Sequence, residues 1–128
     1  MRGLFAIALL LLAAPALAED AAIPATVEAS TDLGSGIASY FSREIAGNRT
    51  ASGERCDPDT LTAAHRTAPF GSRMRVTNLA TGKSVVVRIN DRGPFRAGRV
   101  IDLSHAAARE IGMHRSGTAK VSLALLDE

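Results

Sequence analysis

Apolar and polar residues alternate with a period of two through much of the second half of the chain. In residues 73–79, Met74 and Val76 fall on one face and Arg73, Arg75 and Thr77 on the other. In residues 84–89, Val85, Val87 and Ile89 point to a core, and Val86 and Arg88 point out or toward a neighbouring layer. Ala80-Thr81-Gly82-Lys83 is a tight connection between the two runs, so together they predict a β-hairpin. Residues 120–126 alternate in the same way, with Val121, Leu123 and Leu125 on one side. Shorter strand-like runs occupy residues 37–41, 61–64 and 100–103. Residues 43–59 hold Gly47-Asn48, Ser52-Gly53 and Asp57-Pro58 and read as loop, and Pro69-Phe70-Gly71 turns the chain. After residue 103 the pattern changes: Ser104 suits a helix N-cap, residues 106–110 are mostly strong helix formers, and Gly112 supplies the stop. A mainly β fold follows, with six short strands and one or two short helices. A small closed barrel suits this inventory better than a two-layer sandwich, because closure leaves no exposed strand edge.

The first part of the chain has a different character. Arg2 precedes an almost unbroken apolar run over residues 4–14; Pro15 breaks it, and Ala16-Leu17-Ala18 offers the small residues a signal peptidase requires. The run is too short for a stable membrane anchor. Residues 1–18 are therefore expected to be a signal peptide cleaved near Ala18, residues 19–34 a flexible leader, and residues 35–127 one domain. Export to the periplasm or the medium follows. Charge is uneven: residues 19–33 carry only acids, whereas residues 34–128 carry the remaining acids and fourteen of the fifteen Lys and Arg residues. Those bases do not cluster beyond pairs and only 4% of the chain is aromatic, which argues against a nucleic-acid partner. Cys56 is the single cysteine, so it has no intramolecular disulfide partner and cannot be half of a cysteine metal site. A partly buried, inert thiol is expected there.

Chemistry is concentrated in a few residues. Asp91 follows a strand and precedes Arg92-Gly93-Pro94, a turn that would fix the carboxylate in place. It suits a positioned general acid and, equally, an Asx-turn carboxylate bonded to its own backbone. Arg92 suits an anionic or hydroxyl-rich ligand, or a structural pair with Asp102. Glu54 and Asp57 lie three apart in a loop, where two carboxylates can raise one another's pKa or simply be solvated. His65 suits orientation of a carboxylate, substrate binding or a structural hydrogen bond, while His105 and His114 bracket the helix as surface or capping residues. No spacing among these residues matches a metal motif, so no metal and no cofactor are expected.

Several ordered strings agree with one family. Gly36-Ile37-Ala38-Ser39-Tyr40-Phe41, Thr50-Ala51-Ser52-Gly53-Glu54, Leu61-Thr62-Ala63-Ala64-His65, Pro69-Phe70-Gly71, Val76-Thr77-Asn78-Leu79, Asn90-Asp91-Arg92-Gly93-Pro94-Phe95 and Ile101-Asp102-Leu103-Ser104 resemble the RlpA (rare lipoprotein A) family. The resemblance runs from about Gly36 to Leu125. It implies a double-psi β-barrel and an endolytic peptidoglycan lytic transglycosylase. The enzyme would cleave the MurNAc–GlcNAc β-1,4 bond of glycan strands, preferably peptide-stripped ones, and leave 1,6-anhydromuramic ends. It implies Asp91 and His65 as catalytic residues and Glu54 and Asp57 as groove carboxylates; Arg92, from its own position next to Asp91, is expected to contact substrate. The implied partner is the peptidoglycan strand, met by a monomer. The rival reading is a glycan-binding module of expansin type without catalysis. The chain departs from the family in having no cysteine after the signal, hence no expected lipid anchor, and no glycan-binding repeat domain. Residues 42–47 replace a Gly-rich aromatic loop, and Cys56 stands where an aromatic is common.

Overall fold

The computed structural model describes residues 29–127, which form a closed six-stranded barrel with one short helix. The expected signal peptide lies outside the described residues. The strands are β1 (Ser30–Tyr40), β2 (Thr62–Ala64), β3 (Arg73–Asn78), β4 (Ser84–Asp91), β5 (Arg99–Leu103) and β6 (Thr118–Leu126); α1 (His105–Glu110) lies between β5 and β6. Around the barrel the order is β1-β5-β2-β4-β3-β6, closing back on β1. Two pairs are parallel, β1 with β5 and β2 with β4, and the other four are antiparallel. Parallel neighbours cannot be joined by a tight hairpin. Long connections therefore separate them in sequence, and those connections carry the polar residues singled out above.

The expected hairpin is β3–β4, with Met74 opposite Val87 and Val76 opposite Val85. β1 begins at Ser30, so the last five residues of the expected leader are strand. Their apolar content is low and they are exposed, but the backbone of residues 30–36 pairs with β6. Ladder hydrogen bonds, which hydrophobic patterning cannot reveal, hold this segment. At Gly36 a Cβ would lie 2.4 Å from Val100 Cγ1, so only glycine lets β1 approach β5 there.

Inward-facing side chains fill the barrel, among them Met74, Val76, Val87, Ile89, Ile101, Leu103 and Val121, all essentially without solvent exposure. Burying each contributes roughly 1.5–3 kcal/mol. Leu125 of β6 is only partly buried and packs against this core from its margin. α1 starts as expected: the Ser104 hydroxyl accepts a hydrogen bond from the Ala107 amide at 3.2 Å. Its Ala107 and Ala108 are fully buried. Buried Asn78 bonds through Nδ2 to the Ile111 carbonyl and through Oδ1 to the Ala80 amide, tying the hairpin turn to the end of α1.

Candidate active site

The position of Asp91 comes from an irregularity in the β2–β4 pairing. Ala63 pairs with Ile89, but the next residue, Ala64, pairs with Asp91, so Asn90 is an extra residue in β4. Such a bulge re-aims the side chains that follow it. Strict alternation would place Asp91 on the same face as Ile89, in the core. The extra residue puts it on the outer face beside Ala64, whose other neighbour is Asp102 of β5. Asp102 in turn pairs with Ser39 of β1. Ser39, Asp102, Ala64 and Asp91 thus form a row across four adjacent strands, outside a layer of fully buried Ala38, Leu103, Ala63 and Ile89.

The loop between β1 and β2 folds over this row. Asp91 Oδ1 accepts hydrogen bonds from the amides of Ala51 and Arg92, each at 2.9 Å. The Arg92 bond is the local turn expected of an aspartate after a strand; the Ala51 bond reaches forty residues back. The Ser52 amide bonds to the Asn90 carbonyl at 3.2 Å. Glu54 bonds to Arg88 Nη1 at 2.6 Å and to Asn90 Nδ2 at 3.2 Å. Residues 51–54 are therefore laced along the end of β4. Glu54 departs from the expected raised carboxylate: the Arg88 hydrogen bond, then that of Asn90, holds it below the usual carboxylate range. Asp57 is exposed and caps its own turn through the Asp59 amide at 3.0 Å.

His65 sits at the end of β2, its amide bonded to the Asp91 carbonyl at 3.2 Å. Its imidazole Nδ1 accepts from the Thr67 and Ala68 amides at 3.2 and 3.1 Å. An accepting Nδ1 leaves the proton on Nε2. Burial, followed by the charges of Arg92 and Arg66, lowers its pKa. The imidazole should therefore be the neutral Nε2–H tautomer at neutral pH, with a titration midpoint below 6.5. Since the unfolded residue binds a proton more readily, this site's contribution to stability is complete above about pH 6.5 and declines below it. Long-range proton–nitrogen correlation spectra read both tautomer and midpoint; a midpoint above 6.5 contradicts the assignment.

Two arginines lock the loops leaving β2 and β4 to each other. Arg92, after β4, donates through Nη1 to the carbonyls of His65 and Ala68 at 3.2 and 2.8 Å, with its guanidinium 4.0 Å from the Phe70 ring centre. Arg66, after β2, donates to the carbonyls of Pro94, Arg96 and Arg99 at 2.6, 2.9 and 2.8 Å. The strands are parallel neighbours, so both loops leave the barrel at the same end, and each arginine fixes the other's loop. Arg92 makes these backbone contacts rather than the side-chain pair with Asp102 that the sequence allowed. Arg66 was missed from sequence: its acceptors are carbonyls some thirty residues away, and no motif encodes them. Phe95, on the loop Arg66 holds, is 79% exposed, and its ring lies beside Gly93.

Asp102 is half-buried and accepts a hydrogen bond from Ser39 Oγ at 3.1 Å; burial pushes its pKa up. Cys56 is buried, as expected, and burial with the charges of Asp91, Asp57 and Asp102 raises its thiol pKa, which suits an inert thiol. A cavity of about 280 Å³ also borders His65, lined by Leu33, His65, Arg66, Thr67, Val100 and Leu123. Among the described residues no His, Cys, Asp and Glu side chains converge as a metal site. The structure thus brings Asp91, Glu54 and the backbone of His65 together at one end of the barrel. Asp57 reaches this group only as one of the charges around Cys56.

Residues 34–123 match the family described as lytic transglycolase. The chain belongs to this family. Among relatives, it is 64% identical over 88 residues to a protein of Synechocystis named probable endolytic peptidoglycan transglycosylase RlpA, a match covering 69% of this chain and 27% of that one. It is 52% identical over 92 residues to the endolytic peptidoglycan transglycosylase RlpA of Pseudomonas aeruginosa, covering 72% and 27% of the two chains. The chain therefore spans about a quarter of the length of these family members. Among solved structures, the expansin of Clavibacter michiganensis superposes with a TM-score of 0.59 at 24% identity, over 74% of this chain and 50% of that one. That likeness concerns the fold, a double-psi β-barrel shared by the family.

Proposed function

We propose that this domain is an endolytic peptidoglycan lytic transglycosylase that cleaves the MurNAc–GlcNAc β-1,4 bond with formation of 1,6-anhydromuramic ends. The observation that carries the reading is the anchoring of Asp91: both of its hydrogen bonds fall on Oδ1, and among the described residues none reaches Oδ2. One oxygen fixes the carboxyl group and the other is available to a substrate. The names of the family members at 64% and 52% identity support the same chemistry.

In this reading Asp91 works alone as acid and base. Protonated on Oδ2, it gives its proton to the glycosidic oxygen as the bond to the anomeric carbon breaks. The C6 hydroxyl of the same muramic residue attacks that carbon and returns its proton to Asp91. The ring closes, no water is consumed, and the carboxyl group ends as it began. A hydrolase would require a second carboxylate to activate water; here the substrate supplies the nucleophile. The Nε2–H of His65 is a donor for a sugar hydroxyl, because Nδ1 is spent on its own loop. Glu54 and, farther from Asp91, Asp57 accept from hydroxyl groups of the substrate, and Arg92 and Arg66 keep the loops leaving β2 and β4 rigid. The glycan substrate places the site of action outside the cytoplasmic membrane.

The test is incubation of the purified protein with peptide-stripped sacculi, followed by mass spectrometry of the soluble fragments. Anhydro-ended products support the proposal. Reducing-end products would indicate hydrolysis, and binding without release would indicate a glycan-binding module; either would overturn it.

A further inference from the structure

Phe95 has no part in the mechanism above. Its ring is 79% exposed, whereas the other exposed large apolar side chains among the described residues, Leu33, Leu61, Phe70 and Leu79, are 41–51% exposed. Single apolar residues on a surface are common. This one differs in how its backbone is held. Arg66 donates through Nε to the carbonyl of Pro94, just before Phe95, at 2.6 Å. Through Nη2 it donates to the carbonyl of Arg96, just after Phe95, at 2.9 Å, and to that of Arg99 at 2.8 Å. Hydrogen bonds from a charged donor are the stronger kind. The chain is thus fixed on both sides of Phe95 while the ring is left in water. We propose that Phe95 is a substrate-binding platform, its ring stacking on the C–H face of a sugar beside the bond cleaved at Asp91. The inference rests on the transglycosylase reading and adds a substrate contact to it.

Placement supports this role. Phe95 Cε2 lies 3.5 Å from the position that a Cβ on Gly93 would take, and Gly93 is two residues after Asp91. Two residues span at most about 7 Å, so the edge of the ring is within about 12 Å of the Asp91 Cα. A short oligosaccharide covers that separation. The chemistry agrees. In a β-1,4-linked chain of glucosamine and muramic units the polar substituents are equatorial and form a rim, and the axial C–H groups make each face apolar. A ring and a sugar face both shed water on contact. The polar rim is then left to Glu54 and to the Nε2–H of His65. Phe70, on the loop after β2, already carries the Arg92 guanidinium at 4.0 Å from its ring centre. Because Arg66 fixes the backbone in advance, little ordering cost remains when the sugar binds. No bond is made or broken at Phe95; it acts on affinity and on which sugar reaches Asp91.

The test measures anhydro-product release from soluble, peptide-stripped glycan oligosaccharides by wild type, F95A and F95W. F95A is expected to raise KM by about tenfold and to leave kcat within about twofold, the pattern of a contact made equally in ground and transition states. F95W keeps an aromatic face and is expected to restore KM to near the wild-type value. The chain has no tryptophan, so F95W also adds a single emission probe. In D91N combined with F95W, the same oligosaccharides are expected to change that emission saturably without being cleaved. A wild-type KM for F95A overturns the inference and leaves the transglycosylase reading standing. A loss of kcat at unchanged KM also overturns it, and so does F95W emission that ignores the oligosaccharides. Absence of anhydro products from wild type sinks the underlying reading instead, and the emission titration, which needs no turnover, then decides whether Phe95 meets the glycan.

Discussion

Asp91→Asn lowers the release of anhydro-ended fragments from peptide-stripped sacculi by about 10²–10⁴-fold, the range lost with a general acid. The substitution keeps the acceptor that Ala51 and Arg92 use, since a carboxamide oxygen can replace Oδ1. It removes the titratable proton. The folded structure is therefore expected to survive, with the melting temperature and binding to sacculi close to wild type. The combination distinguishes a proton donor from an Asx-turn carboxylate. Loss of the turn alone would appear as lowered stability with activity retained in the folded fraction. Product release by D91N at the wild-type rate would remove Asp91 from the mechanism.

Leu103→Ala destabilises the domain by about 2–5 kcal/mol, the usual cost of emptying a fully buried leucine site. Leu103 is without solvent exposure and pairs with Tyr40 of β1 and Ala63 of β2, so it sits where three strands meet beneath the Asp91 row. With total stabilities of about 5–15 kcal/mol for domains of this kind, the loss is a large fraction of the whole. A fall in melting temperature of at least about 10 °C is expected, read by circular dichroism. Cys56 is the only cysteine, so no intramolecular disulfide offsets the loss. A shift below about 2 °C would show that the barrel relaxes into the cavity and that the core is less closely packed than its burial indicates.

The strands were legible wherever burial alternated. Met74 and Val76 of β3 and Val85, Val87 and Ile89 of β4 face the core as their spacing required, and the Ser104 cap opens α1 as expected. β1 was read too short because its first residues are exposed and held by backbone pairing to β6. The candidate site was only partly legible. Asp91 stands out because a carboxylate before Arg-Gly-Pro is conspicuous, and Glu54 and His65 are candidates because their types suit the proposed chemistry. The reach of Ala51 to Asp91 and the Arg66 clamp were not legible, since both join loops that are distant in sequence. Asp102 read as a structural partner for Arg92 until strand register set it beside Ala64.

By itself the sequence determined the hydrophobic periodicity, hence the strands, the turn chemistry and the family to which they belong. These depend on neighbours within a few residues, and a linear pattern records them. Only the tertiary structure decided which strands are neighbours and which face Asp91 takes. A single extra residue at Asn90 turns that carboxylate from the core to the outer row. Whether such a residue is absorbed as a bulge depends on the partner strand, which lies more than twenty residues upstream and leaves no trace in local periodicity.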